Sequence, residues 1–456
     1  MTRLLNQAMR RTSLAPLLAD LAGSGPQFLG HMLWLRQTQW YSPERLKQIQ
    51  ERRLHMLVAH AAAQSPFYRE RFRSRGIEPQ DIRGLDDLER LPILHREDIL
   101  NSFSKIAAAN ARAFRPTLAK TSGTSGMRME FLRDRTAASI GNAARWRFRG
   151  WHGIGFRHRI ANIRSFGPST GPSGAGGAVG YGPGLSTLRI NLYQVKPGAA
   201  NLGPVADELS RFRPDAITTS SPTWLAFFSA YLAEHSSRYR IRPKVVFCGG
   251  ERVFPNQRTA ISEAFEAPVV NIYGNWEYVL FAGECPRGRM HIASEIGIVE
   301  ILHDGKRVAP GESGELVVTG LWNRSLPFIR YAIGDMASLD ADACPCGRGL
   351  PTWQIVGGRE RNLLATPHGL HHAPQVLYSS PRWQRKILGV RFCQDTPDAV
   401  LVQVVRGPAF GEDDVQPMHD ELVRELGSQM KISIEFCDTI EQTQGGKFQY
   451  VASSVR

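Results

Sequence analysis

The chain has 456 residues, 42% of them hydrophobic and 21% charged, and a formal net charge of +14 at pH 7. That length exceeds what one hydrophobic core usually fills, so two or more domains are expected, and six cysteines in so long a chain exclude a disulfide framework. The basic excess attracts anions in general. However, only nine of the 56 basic residues are lysines, and the arginines fall in short clusters such as 145–149 and 157–164, which argues against a dedicated nucleic-acid arm.

The N-terminal stretch MTRLLNQAMRRTSLAPLLADLAGSG imitates a secretion signal, but Asp20 interrupts its short apolar part, so a helix docked on the body is expected. From Pro43 to about Leu100 the chain reads helical, with Leu54, Leu57, Val58 and Ala61 at helical spacing and an LPIL turn at 91–94. From Arg115 onward strand-like and helical pieces alternate. The Gly- and Pro-rich stretch 166–184 reads as a long loop, and 211–235 reads as strand, turn and helix with Ser221 as the cap. KVVFCGG (244–250) and APVVNIYG (267–274) are β-branched runs ending in glycine, suited to buried parallel strands that open onto a site. After Glu295 the pattern turns antiparallel: IGIVEIL, a turn at His303–Asp304–Gly305, then GELVVTGL. A break near Gly357–Gly358 leaves a tail of about a hundred residues, enough for a small α+β domain. No apolar run approaches the ~20 residues needed to cross a bilayer, so a cytoplasmic setting is expected.

One stretch raises a chemical question. KTSGTSGMRMEF packs Thr121, Ser122, Gly123, Thr124, Ser125 and Gly126 together. Small hydroxyl residues and glycines let backbone N–H groups converge on a phosphate, although an ordinary loop has the same composition. It is not a Walker loop, because Met127 stands where that motif needs lysine. Alone, the stretch leaves both readings open.

Its companions decide between them. TSGTSG, YGNWE (273–277), GELVVTGLWNRSLPFIRYAIGD (314–335), GGRERN (357–362) and GGKF (445–448) follow in order, with AAAQSPFYRERF at 61–72 and CPCGR at 344–348. As a set they resemble the adenylate-forming superfamily of acyl-CoA synthetases, luciferases and peptide-synthetase adenylation domains. Within it they resemble the phenylacetate–CoA ligase branch, and especially the CapK-like proteins found with polysaccharide genes. The resemblance implies an α/β fold. Residues 1–357 would form a large multi-subdomain adenylating domain of mixed sheets with flanking helices, and 358–456 a mobile α+β lid.

The resemblance also implies roles. Thr121–Gly126 would cradle the ATP phosphates. Glu277 would help hold Mg²⁺, a hard cation that favours carboxylate oxygen. Asp335 would accept hydrogen bonds from the ribose hydroxyls, and Arg359 would lie near ribose and phosphates. Gly249, Gly250, Glu251, Tyr273 and Gly274 would line the adenine slot. Lys447 would place its charge on the carboxylate and α-phosphate during adenylation. Taken singly, Glu277 is an ordinary solvated carboxylate, Asp335 a turn cap and Lys447 a surface lysine; the ordered set gives them these roles. The implied partners are ATP, a small carboxylic acid and coenzyme A, with a homodimer left open.

Cys285, His291, Cys344 and Cys346 form a C-x₅-H…C-x-C constellation. Three thiolates and one imidazole suit a closed, structural tetrahedral Zn²⁺ site, which some members of that branch carry. Two departures stand out: Met127 in place of a lysine that commonly follows the phosphate loop, and His95–Arg96 after the LPIL turn. Trp224, Phe227, Phe228 and Trp276 either line the acid pocket or belong to the core. The rival readings are an adenylating enzyme whose acceptor is a carrier protein, a sugar or an amine, and a basic nucleic-acid or anionic-surface binder that keeps the fold without turnover.

Overall fold

A computed structural model of the chain describes residues 15–120, 129–164, 179–182, 186–192, 194–195, 199–357, 363–367, 369–383, 385–441 and 448–455. Their contacts divide the chain into two units. The first takes the described residues of Arg157–Asn271 and Glu360–Arg456; the second takes those of Leu14–Phe156 and Ile272–Arg359.

In the first unit the strands Ile160–Arg164, Ala216–Thr219 and Val245–Cys248 run parallel, flanked by the parallel Thr187–Asn191 and by the start of Val269–Gly274. Only Val179–Tyr181 joins antiparallel, beside Thr187–Asn191. Ala161, Ile163, Ile217, Val246 and Cys248 of these strands share one core with Leu202, Val205, Leu209, Trp224 and Phe228 of the covering helices. Those helices are Ala199–Phe212 and Pro222–Glu234, joined in the same core by Ile261 and Phe265 of Pro255–Phe265. Ser221 caps the second of them as its sequence predicts, its hydroxyl accepting from the Trp224 N–H at 3.3 Å. Trp224 and Phe228 stack at 5.3 Å inside this core, and Phe227 is buried as well, so these three aromatics are packing residues.

The C-terminal part of the same unit is a four-stranded sheet in the order Lys431–Phe436, Ala399–Arg406, Ile387–Thr396, Val451–Ser453. The helix Val415–Leu426 covers it, burying Met418, Leu422 and Leu426 against Val390, Phe392, Val402 and Val404. This sheet is held to the helices of the 157–271 segment by several contacts. The Asn256 side chain donates to the Ile387 carbonyl at 2.7 Å, Phe254 stacks on Tyr378 at 4.2 Å, and Arg385 pairs with Glu263.

The second unit is built differently. Its sheet is antiparallel throughout, in the order Lys306–Arg307, Gly297–His303, Gly314–Gly320, Tyr331–Leu339, Thr352–Gly357, Met290–Ile292, Phe281–Glu284 and the end of Val269–Gly274. Asp304 and Gly305 both have positive φ, 48° and 77°, as the tight turn after Gly297–His303 requires. The helix Pro43–Gln64 buries Leu46, Leu54, Leu57, Val58 and Ala61 on one stripe, each large side chain contributing roughly 1.5–3 kcal/mol relative to exposure. The helix Arg135–Trp151 buries Arg147, which forms a two-point ion pair with Glu295 at 2.7 and 3.3 Å. The Thr38 hydroxyl donates to the same carboxylate at 2.5 Å.

Candidate active site

The stretch Thr121–Gly126, with Met127 and Arg128, lies outside the described residues, as do Arg359 and Lys447. Strands on either side of the first of these pair with each other as a hairpin. Thr117–Lys120 pairs antiparallel with Glu130–Arg133 in the register Lys120↔Glu130. Asp134, directly after the hairpin, accepts from the backbone N–H groups of Arg324 and Ser325 at 2.7 and 3.0 Å. Asn323 completes the joint by accepting from the Asp134 N–H and donating to the Leu132 carbonyl. Burial raises the Asp134 carboxyl above its ordinary pKa, against the pull of these donors. The hairpin is thus tied to the NRS segment of the long 314–335 motif.

YGNWE is locked by its own side chains. The Asn275 side-chain oxygen Oδ1 accepts from the Val279 and Leu280 N–H groups at 3.1 and 3.4 Å, closing the turn. Tyr278 sits in the left-handed region at φ 61°, a costly conformation for an aromatic residue and one that concentrates at functional sites. Its ring is clamped between Phe281 at 5.0 Å and the guanidiniums of Arg133 and Arg145 at 4.5 and 4.8 Å. Glu277, just before this strained residue, is buried, whereas Trp276 is 53% exposed. The Tyr273 hydroxyl donates to Asp335 at 2.7 Å, which brings two of the motif residues together.

In the first unit, Gly249 and Gly250 follow the strand Val245–Cys248. The Gly249 N–H donates to the Thr219 carbonyl at 3.0 Å. Gly250 has φ +78°, and a Cβ there would lie 2.7 Å from the Ser220 carbonyl oxygen, so both conformation and space require glycine. Glu251 accepts from the Ser221 hydroxyl at 3.0 Å and from the Phe448 N–H at 3.1 Å. Sequence reasoning did not single out Phe448 or Arg147, because neither partner is signalled by local spacing.

Cys285, His291, Cys344 and Cys346 converge, with all four ligand atoms within 4.8 Å of one another. Cys285 follows the strand Phe281–Glu284, His291 lies in Met290–Ile292, and the other two thiols come from the loop before Thr352–Gly357. The Cys285 and Cys344 sulfurs are 3.7 Å apart, and the Cys346 sulfur is 3.2 Å from His291 Nε2. His291 Nδ1 faces the Leu350 carbonyl at 2.9 Å, which fixes the tautomer that leaves Nε2 as the ligand atom. Burial pushes the Cys344 thiol up to about 11 and holds the His291 imidazolium below its ordinary pKa. Burial also opposes ionisation of Cys346, but the backbone N–H and side chain of Arg348 outweigh it and lower that thiol. Four donors of this kind, gathered without a disulfide among the described cysteines, fit a tetrahedral soft-metal site.

A family model for the CapK C-terminal domain matches residues 379–454. A phenylacetate-coenzyme A ligase of Thermus thermophilus is 25% identical over 420 residues, covering 86% of this chain and 88% of that protein. Protein CapK of Staphylococcus aureus is 22% identical over 417 residues, covering 90% of each. Among solved structures, 2-hydroxyisobutyryl-CoA ligase in the postadenylation state with 2-HIB-AMP matches with a TM-score of 0.73 and 21% identity over 92% of each chain. The kinship implied by the motifs is therefore met by relatives named phenylacetate-coenzyme A ligase and CapK, and the mixed α/β fold by the structural likeness. No helix among the described residues is long and apolar enough to cross a membrane.

Proposed function

We propose that this protein activates a carboxylic acid with ATP, forming an acyl-adenylate and pyrophosphate, and then transfers the acyl group to coenzyme A. The likeness to a phenylacetate-coenzyme A ligase along 86% of the chain carries this reading. In the first step the acid's carboxylate oxygen attacks the α-phosphorus and pyrophosphate leaves. In the second the thiol sulfur attacks the acyl carbon and AMP leaves. Residues 1–357 bind acid and nucleotide, and 358–456 act as the lid that carries Lys447.

Within this reading Thr121–Gly126 grip the phosphates, and Asp335, oriented by Tyr273, holds the ribose. Gly249, Gly250, Glu251, Tyr273 and Gly274 line the adenine slot, with Arg359 near the phosphates. Glu277 would hold Mg²⁺, and that ion or Arg128 would supply the charge neutralisation that Met127 does not. Lys447 stabilises the charge that grows on the α-phosphate. Cys285, His291, Cys344 and Cys346 hold a structural Zn²⁺; with four protein ligands no position stays open for catalysis. The setting is cytoplasmic, and the assembly a monomer or homodimer.

Pyrophosphate release measured over aryl, hydroxy, fatty and amino acids, with and without coenzyme A, tests the reading. Acid-dependent release is expected, with the thioester appearing only when coenzyme A is present. No release with any acid would overturn it. A second reading keeps the adenylation and takes a carrier protein, or a sugar or amine in polysaccharide assembly, as acceptor in place of the coenzyme A thiol. AMP release that responds to such an acceptor and not to coenzyme A would select it.

A further inference from the structure

Glu251 engages protein groups through both carboxylate oxygens. Oε2 accepts from the Ser221 hydroxyl at 3.0 Å, and Oε1 accepts from the Phe448 backbone N–H at 3.1 Å. Ser221 is itself fixed, because its hydroxyl also caps the helix Pro222–Glu234. The Phe448 ring lies 5.6 Å from Phe227 of that helix, in an apolar cluster with Leu388, Val405 and Ile440. The backbone before Glu251 runs close to Ser220, where a Cβ on Gly250 (φ +78°) would lie 2.7 Å from the Ser220 carbonyl oxygen. One carboxylate therefore joins a strand end, a helix start and the chain that leads into the strand Val451–Ser453.

Phe448 is the residue after Lys447, and neighbouring Cα atoms are about 3.8 Å apart. We infer that Glu251 is a positioning residue: its carboxylate anchors the segment following Lys447 and so favours adenylation over the second half-reaction. The inference rests on the ligase reading for its consequence, and on the two hydrogen bonds for the anchor itself. An acyl-transfer step that needs residues 358–456 in another position must first break this anchor. A hydrogen bond to a charged acceptor is worth about a tenfold change in equilibrium or more.

The test uses the full chain and the variants Glu251→Ala and Glu251→Gln. Hydrogen exchange at the Phe448 amide should be about tenfold faster in Glu251→Ala and close to wild type in Glu251→Gln, whose side-chain oxygen still accepts. Unchanged protection of that amide in Glu251→Ala would overturn the anchor. At saturating ATP, where weaker binding in the adenine slot no longer counts, acyl-adenylate formation should fall about tenfold more in Glu251→Ala than thioester formation from supplied acyl-adenylate and coenzyme A, with recovery in Glu251→Gln. Equal losses in the two half-reactions would overturn the positioning role. Exchange needs no turnover, so a wild-type protein inert toward every acid would sink the ligase reading while the amide still decides the anchor.

Discussion

The two units are held together internally by different means. The second places charge and sulfur where water is excluded: Arg147 and Glu295 are 1% and 0% exposed at their side chains, and three of the four thiol-cluster residues are buried. In the first, the C-terminal sheet meets the 157–271 helices through contacts of another kind. Arg385 and Glu263 are 62% and 45% exposed, and beside them are single hydrogen bonds, ring stacks and one small apolar cluster of Phe227, Leu388, Val405 and Ile440. Buried pairs are strongly destabilising to break, whereas exposed ones contribute little. The difference accords with the proposal that residues 358–456 act as a lid, and it concerns how each unit is held within itself.

This contrast is open to direct attack. Removing the metal, or making Cys344→Ser, should have the largest effect: loss of about one equivalent of zinc and a clear fall in thermal midpoint, since metal binding is coupled to folding. Purified wild-type protein with only a trace of zinc would refute the site. Arg147→Ala should destabilise by about 3–5 kcal/mol, because Glu295 is left charged and unpaired, as denaturant midpoints would reveal. A loss below about 1 kcal/mol would remove the distinction between the units.

A third test is pH. Burial, and then the nearby Arg53, lower the His31 pKa to about 4 from 6.5. Between those values the unfolded chain binds a proton that the folded chain does not, so the stability is full above pH 6.5 and is lost as pH falls toward 4. About 1–2 kcal/mol is expected after allowing for partial exposure of the ring, and His31→Gln should flatten that part of the profile. The smallest effect is reserved for Arg385→Ala, under about 1 kcal/mol by the same denaturant measurement.

Much of this was legible in the chain. The helical stripe Leu54–Leu57–Val58–Ala61, the Ser221 cap and the parallel strands 245–248 and 269–274 follow from local periodicity and capping chemistry. The thiol cluster was legible because cysteine is rare and its ligand chemistry narrow. Pairings between common residue types were not: Arg147 meets Glu295 across 148 positions, and Glu251 meets Phe448 across 197. Nothing in the neighbourhood of either partner signals the other. The grouping of 157–271 with the C-terminal residues has the same origin, since contacts between distant segments leave no periodic trace.

The central claim is that an acyl-adenylate forms with the help of Lys447. It is tested most directly by trapping the acyl-adenylate, for an acid that supports pyrophosphate release, in wild type and in Lys447→Ala at saturating ATP. A loss of about a hundredfold or more is expected in the variant, with ATP binding retained. Equal adenylate formation by the two proteins would contradict it.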